Sequence, residues 1–333
     1  MLLFWYDLYR GQRQAYCSAL CRIRDLGLNN VQMIEFHPVT LKDREWVDRH
    51  VRCEDSPSSD FNFSGMFMWT GYNGQQICDA GERTLSTVFV QGAPVFVYPV
   101  GSGPLRPAIS ALREYASYRN RPFVMYAVTL RQRKQLEEEF PGCFTFREVE
   151  EHADYIYEAE KLASLAGRGM KKKRNLCNRF EAEHDWRYVP LTRELIPVCE
   201  EMLMSWCKEN AGRLDASIVY EREAVMRAFQ NYEQLNLDGG VLFVDGKLSG
   251  FSFGEMTNSD TFDYHVEKAS MNIKGAYTMV HREFIRMLLS VHPNLKWINC
   301  EEDLGIVQLR QAKLNYKPAF LLRKYAATWV GER

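Results

Sequence analysis

Several features that would settle a function quickly are missing from this chain. No apolar stretch is long enough to cross a bilayer: MLLFWY stops at Asp7, too short for a signal-peptide core or a membrane span. There is no surplus of one charge. With 42 basic and 43 acidic side chains the net charge is -1, so the whole molecule attracts neither nucleic acid nor anionic lipid, and any such contact must come from a local patch. Cysteine pairs with zinc spacing are absent. The nine cysteines are scattered, and the nearest two, Cys17 and Cys21, lie one residue too far apart for CxxC, with no histidine pair beside them. Reduced thiols in a cytoplasm and no bound metal are what this predicts. Neither a Walker loop nor a serine-histidine-aspartate pattern offers a ready-made chemistry.

What is present is the composition of a globular protein, 46% apolar and 26% charged over 333 residues, enough for one large domain or two ordinary ones. The first 32 residues lack periodic apolar content. They are expected to be disordered, or to lie upstream of a natural start at Met33, where MIEFHPVTLKDREWVDRHV reads as strand, turn and helix.

Beyond that point two stretches follow one script. QQICDAG, RTLSTVFVQG and PVFVYPVG are short β-rich runs parted by Ala-Gly and Gly-Ala turns. The loop GSGPLRP, the helix AISALREYASY, the strand PFVMYAV, the helix LRQRKQLEEEF and the strand CFTFREV follow. The second stretch, from GGVLFVDGKLSGFSFGEMTNSDTFDYHVEKA, gives three strands and the loop SMNIKG. The helix AYTMVHREFIRMLLSV, the strand LKWINC, the helix LGIVQLRQAKL and the strand AFLLRKYAA complete it. Order and spacing match while identities do not, which points to an internal duplication of one α/β unit. The predicted domains are 33–155 and 156–333, the second holding the active site.

The stretches LAGRGMKKKRNLCNRF, YHVEKASMNIKGAY and EEDLGIVQLRQAKLNYKP carry a resemblance to a known family. They resemble the tandem-GNAT proteins that include the C-terminal catalytic domain of phosphatidylglycerol lysyltransferase, and more distantly the Fem-type transferases. The element order over residues 33–327 agrees. The resemblance implies an α/β (α+β) fold of two GNAT-like repeats, each a mixed, largely antiparallel sheet flanked by helices. In such a unit two parallel strands splay apart and the acyl donor enters the split. It also implies an acyl- or aminoacyl-transferase using a CoA thioester or an aminoacyl-tRNA ester, without metal. A small molecule or lipid would be the acceptor and tRNA a partner, for a monomer or weak homodimer. Two departures qualify this. Gln311 stands where many acetyltransferases keep a tyrosine as general acid, and Asn315 where glycine ends the helix; asparagine tolerates the left-handed turn a C-cap needs. Of the usual phosphate-loop pattern, Asn272, Gly275 and Tyr277 retain only the glycine, so a modified donor site is expected. A protein that kept the fold and lost the chemistry is the rival reading.

Candidate residues follow from local pattern. At 100° per residue, Lys171, Arg174, Asn175 and Asn178 fall within about 100° of one another, opposite Met170, Leu176, Cys177 and Phe180, a stripe that also holds Lys173. That cationic face suits a phosphate; a merely solvated helix would look the same. Asn272, Lys274, Gly275, Ala276 and Tyr277 open the following helix, whose free N–H groups favour an anion, and with the basic face they are the predicted cofactor site. Along Thr261–Ala269 strict alternation puts Asp263, His265 and Glu267 on one face, a candidate general-base row, or a cross-strand charge pair on an exposed one. After LKWINC, Asp303 reads as a helix cap. Asn299, Glu301 and Glu302 lie at the strand end where α/β ligands bind, and with Tyr316 they form the predicted substrate site.

Overall fold

The computed structural model describes residues 34–90, 93–210 and 217–331. The expectation for residues 1–32 falls outside these. The first half runs β1 (His37–Pro38), α1 (Arg44–Glu54), α2 (Phe63–Asn73), β2 (Gln76–Asp79), β3 (Arg83–Val90), β4 (Ala93–Gly101), α3 (Leu105–Tyr118), β5 (Val124–Thr129), α4 (Leu130–Glu139), β6 (Phe144–Glu148) and β7 (Asp154–Glu158). The second runs α5 (Ala159–Ser164), α6 (Lys171–Glu183), β8 (Trp186–Pro190), α7 (Ile196–Asn210), α8 (Ser217–Gln230), β9 (Asp238–Val244), β10 (Lys247–Met256) and β11 (Thr261–Ala269). It closes with α9 (Ala276–Val291), β12 (Trp297–Asn299), α10 (Val307–Leu314), β13 (Phe320–Leu322) and β14 (Lys324–Trp329).

Local sequence explains most boundaries. Thr129 and Gln132 form a reciprocal capping box that starts α4 directly from the end of β5. The Asn62 side chain accepts from the Gly65 N–H at 2.6 Å and starts α2, which left-handed Gly74 ends. Asn315 has ordinary right-handed geometry, contrary to the expectation from its place in KLNYKP; the left-handed residue is Lys317, two positions on.

Two seven-stranded sheets result. In the first the order is β1-β2-β3-β4-β5-β14-β6, and in the second β8-β9-β10-β11-β12-β7-β13. The orders are the same once β14 and β7 are recognised as equivalent, so the duplication is a structural fact. Each repeat keeps six strands and lends its seventh to the other. The stretch AFLLRKYAA is therefore two strands: Phe320–Leu322 pair with β7, and from Lys324 the chain joins β5 and β6 of the first sheet. A boundary between residues 155 and 156 passes through β7.

The duplication extends to fine detail. In each sheet one neighbouring pair is parallel, β4 with β5 and β11 with β12. In each, the second strand of that pair bulges against the borrowed strand on a residue in the left-handed region. These are Ala127 (φ 57°) in the first repeat and Glu301 (φ 58°) in the second. One apolar core runs through the first sheet and on to Phe251, Phe253 and Val266 of the second, and another lies between the second sheet and α5, α6 and α9. The two repeats thus share an interior.

Candidate active site at the parted strands

β11 and β12 pair only at Thr261–Trp297, Phe262–Ile298 and Asp263–Asn299. Beyond these, β11 runs on to Ala269 while β12 stops, and the chain turns at Glu301. The Asn299 side chain holds that turn, accepting from Glu301 N–H at 2.7 Å and donating to Asp154 at 3.0 Å. The strands part where titratable side chains concentrate.

The alternation expected along β11 is broken. Register with β10 moves from Phe253–Val266 to Glu255–Asp263, so Tyr264 and His265 share the place opposite Gly254. Asp263 and His265 stay together, their nearest atoms 3.7 Å apart, but Glu267 is turned to the other face. There it meets His281 of α9 at 2.8 Å, while Lys268 reaches Glu221 at 2.7 Å on the opposite side. The predicted row of three is therefore two groups on two faces. The bulge depends on glycine, because a Cβ on residue 254 would lie 2.0 Å from the Asp263 carbonyl oxygen. Gly254→Ala is expected to cost about 3 kcal/mol of stability in urea unfolding, the upper end for overpacking. A loss below about 1 kcal/mol would show that the bulge relaxes freely.

On the first face His265 sits among carboxylates. Its Nδ1 is 3.0 Å from Glu301 and its Nε2 3.3 Å from Glu255. Asp263 accepts from Asn62 at 2.7 Å, and Glu255 from the Ser64 N–H at 3.1 Å. Burial opposes charge on the imidazole, but Asp263, Glu255 and Glu301 outweigh it and hold His265 protonated well above its usual range. Burial pushes the Asp263 carboxyl well up, offset in part by His265, and its Oδ1 has no hydrogen-bond partner. Among the described residues, Asp263, His265 and Glu301 have donor atoms close enough together, within 4.8 Å, to take a metal ion.

Beside them lies Lys324, 1% exposed, with Asp60 at 2.5 Å, Asp154 at 2.6 Å and Glu302 at 3.6 Å. Burial disfavours its charge, yet the three carboxylates raise it well above the ordinary lysine value. Asp60 is pushed up to about 6 by burial, with Lys324 pulling the other way. A cavity of about 130 Å³ opens onto these groups. Asp60, Glu301 and Glu302 line it, together with Trp69, Phe96 and Tyr126 of the first repeat. The left-handed Ala127 borders it as well, so the parted strands of the first repeat face the acidic turn of the second.

The predicted donor site looks different from its sequence. Gly275 has φ 97°, which favours glycine on backbone grounds alone, and a Cβ there would meet Leu176 and Phe180. Thus the apolar stripe of α6 packs against the loop, while Lys171, Asn175 and Asn178 are exposed, as are Asn272 and Lys274. Arg174 is occupied by the carbonyls of Leu165 and Gly167. Ala276 is buried, and the Tyr277 hydroxyl accepts from Trp206 at 2.9 Å. Lys173 lies over the Tyr316 ring at 3.2 Å, and burial lowers it to about 8. Gln311 is exposed and bonded to Asn315. Asp303 does not cap α10, whose cap is Ile306; it holds Arg310 through both carboxylate oxygens, at 2.7 and 3.1 Å. Sequence reasoning missed Glu255, Asp60, Lys324 and His281, since none stands in a recognisable motif and their meeting is tertiary.

The fold and this meeting of two repeats define a tandem GNAT-like transferase architecture. Residues 53–328 match the family described as phosphatidylglycerol lysyltransferase, C-terminal, and the chain belongs to that family. A conserved protein of unknown function from Bacteroides thetaiotaomicron has the same fold at 36% identity, with a TM-score of 0.84 over 90% of this chain and 100% of that one. The C-terminal domain of a putative lysylphosphatidylglycerol synthetase from Agrobacterium fabrum aligns over 87% of this chain and 92% of its own (TM-score 0.62, 13% identity). FemX aligns over 88% of this chain and 97% of its own (TM-score 0.58, 11% identity). At these last identities the likeness is one of fold. An uncharacterised protein of Mycoplasmoides gallisepticum is 25% identical over 183 residues, 53% of this chain; the match spans about half of that relative, 56% of its length. Among the described residues no helix is long and apolar enough to cross a membrane.

Proposed function

We propose that this protein transfers an aminoacyl group from its ester with tRNA to an amine or to a lipid-borne hydroxyl. The protonated amine of the aminoacyl group would enter the cavity between the repeats. The observation that carries this reading is the cavity of about 130 Å³ lined by Asp60, Glu301 and Glu302 together with aromatic rings. Half-buried carboxylates favour a cationic ligand, and aromatic faces add to that attraction. Membership of a lysyltransferase family supports the same donor class. A simple acyl-CoA offers a neutral acyl group and anionic phosphates, neither suited to this lining.

The test is to charge total tRNA with each labelled amino acid in turn. Loss of label from tRNA and its appearance on amines or phosphatidylglycerol vesicles are then followed. At least one amino acid is expected to move. Glu301→Gln should raise KM for it about 10–150-fold, the loss of one charge-assisted hydrogen bond. Transfer from CoA esters but from no charged tRNA would overturn the reading. Binding without transfer would favour a ligand-binding protein on this fold, an outcome to which the exposed Gln311 lends support.

A further inference from the structure

On the second face of the parted strands lies a group of side chains that the reading above does not use. Glu267, four residues beyond the last residue of β11 paired with β12, holds His281 Nδ1 at 2.8 Å. A carboxylate only accepts, so Nδ1 carries the proton, and in the neutral imidazole Nε2 presents a lone pair. That Nε2 is buried without a partner, and so is the hydroxyl of Tyr264 beside it. The rings of Tyr264 and His281 stack at 5.4 Å, and Tyr316 flanks His281 on another side at 4.3 Å. His281 is thereby fixed by two rings and pointed by Glu267. Orphaned buried polar atoms are costly, by about 1–3 kcal/mol each, and two together on α9 and β11 mark a place where a ligand's polar group belongs.

We propose that His281 is the general base of the transfer, with Glu267 as its positioning residue, a proposal that rests on the aminoacyl reading. The acceptor's N–H or O–H gives its proton to Nε2 as the nitrogen or oxygen bonds to the carbonyl carbon. The ester C–O bond then breaks, and the same proton passes to the departing ribose oxygen of tRNA, leaving His281 neutral. Burial holds the Tyr264 hydroxyl protonated to well above its usual range beside Ser252 and Glu267, so it keeps a proton to turn toward the carbonyl oxygen as charge develops there. The acidic cavity on one face would hold the donated group, and the dyad on the other would activate the group that attacks it.

Two measurements test this. In ¹⁵N-labelled wild type, the side-chain spectrum of His281 is expected to show a protonated Nδ1 and a bare Nε2; a proton on Nε2 with Nδ1 bare overturns the proposal. With the amino acid that wild type transfers from charged tRNA, His281→Asn and His281→Gln are expected to lose about 10²–10⁴-fold in kcat, with KM little changed. Glu267→Gln, which can still accept from Nδ1, should lose less and shift the pH profile. Rates in both His281 variants within tenfold of wild type overturn the base assignment and leave the aminoacyl reading intact. If wild type itself transfers no amino acid, the aminoacyl reading falls and this proposal with it. Should both variants fail to fold by circular dichroism, the tautomer decides.

Discussion

Ending the chain at Arg323 is expected to unfold the first sheet, although the residues removed are the last of the second repeat. β14 lies between β5 and β6 and pairs with both, from Lys324–Thr129 to Trp329–Phe144. Without it the two strands stand about 10 Å apart, two strand spacings, with a row of unpaired N–H and C=O groups on each. Lys324, Tyr325, Ala326 and Ala327 are buried, so their removal also opens the core beneath. The loss should approach the whole stability of an ordinary domain, about 5–15 kcal/mol. The shortened chain should show no cooperative melting of its first half, and limited proteolysis should cut within residues 34–153 first. Melting within a few degrees of the full chain would mean that β5 and β6 can close on each other.

Lys324→Ala is expected to cost about 3–5 kcal/mol at pH 7, the usual loss when one partner of a buried ion cluster is removed. Asp60 and Asp154 lie within 2.6 Å of the ammonium, and the side chain is 1% exposed, so solvent does little to compensate. The sign of the pH dependence follows from Asp60. Its folded pKa is raised to about 6 by burial, despite Lys324, so its contribution to stability is present below the unfolded carboxylate value of 3.8 and lost as pH rises through 6. At pH 5 Asp60 is mostly protonated in the wild type too, and Lys324 then offsets one negative charge fewer. The deficit of the variant should therefore shrink between pH 7 and pH 5. Urea unfolding at the two values checks it, and a deficit that grows on acidification would show that Asp60 is not the titrating partner.

Element order was legible because each strand and helix carries its own periodicity. What escaped is tertiary. AFLLRKYAA has the pattern of one strand, and nothing local says that Leu322 belongs to one sheet and Lys324 to the other. The helix α2, FSGMFMWTGYN, is apolar on more than one side and so lacks the polar stripe that marks a surface helix. Asp263, His265 and Glu267 alternate in sequence, but Gly254 on the neighbouring strand decides where they point. His281 sits in a helix spaced for burial and is indeed buried; only the missing partner of its Nε2 distinguishes it. The acidic character of Glu301 and Glu302 could be read from their position at a strand end. Their neighbours Asp60 and Lys324 come from the two far ends of the chain.

The exchanged strands also set a timetable. A ribosome releases the chain from its N-terminus, and β1 to β6 emerge long before the strand that belongs between β5 and β6. Until residue 329 is free, the first sheet has an open lane flanked by exposed edges, and the second half must fold while its partner waits. β7, released early, is likewise held in reserve for β12 and β13. A loop of 195 residues, from Thr129 to Lys324, must be closed before the two strands pair. Slow, late completion and a need for protection from aggregation during synthesis are the cost of a molecule whose halves each finish the other.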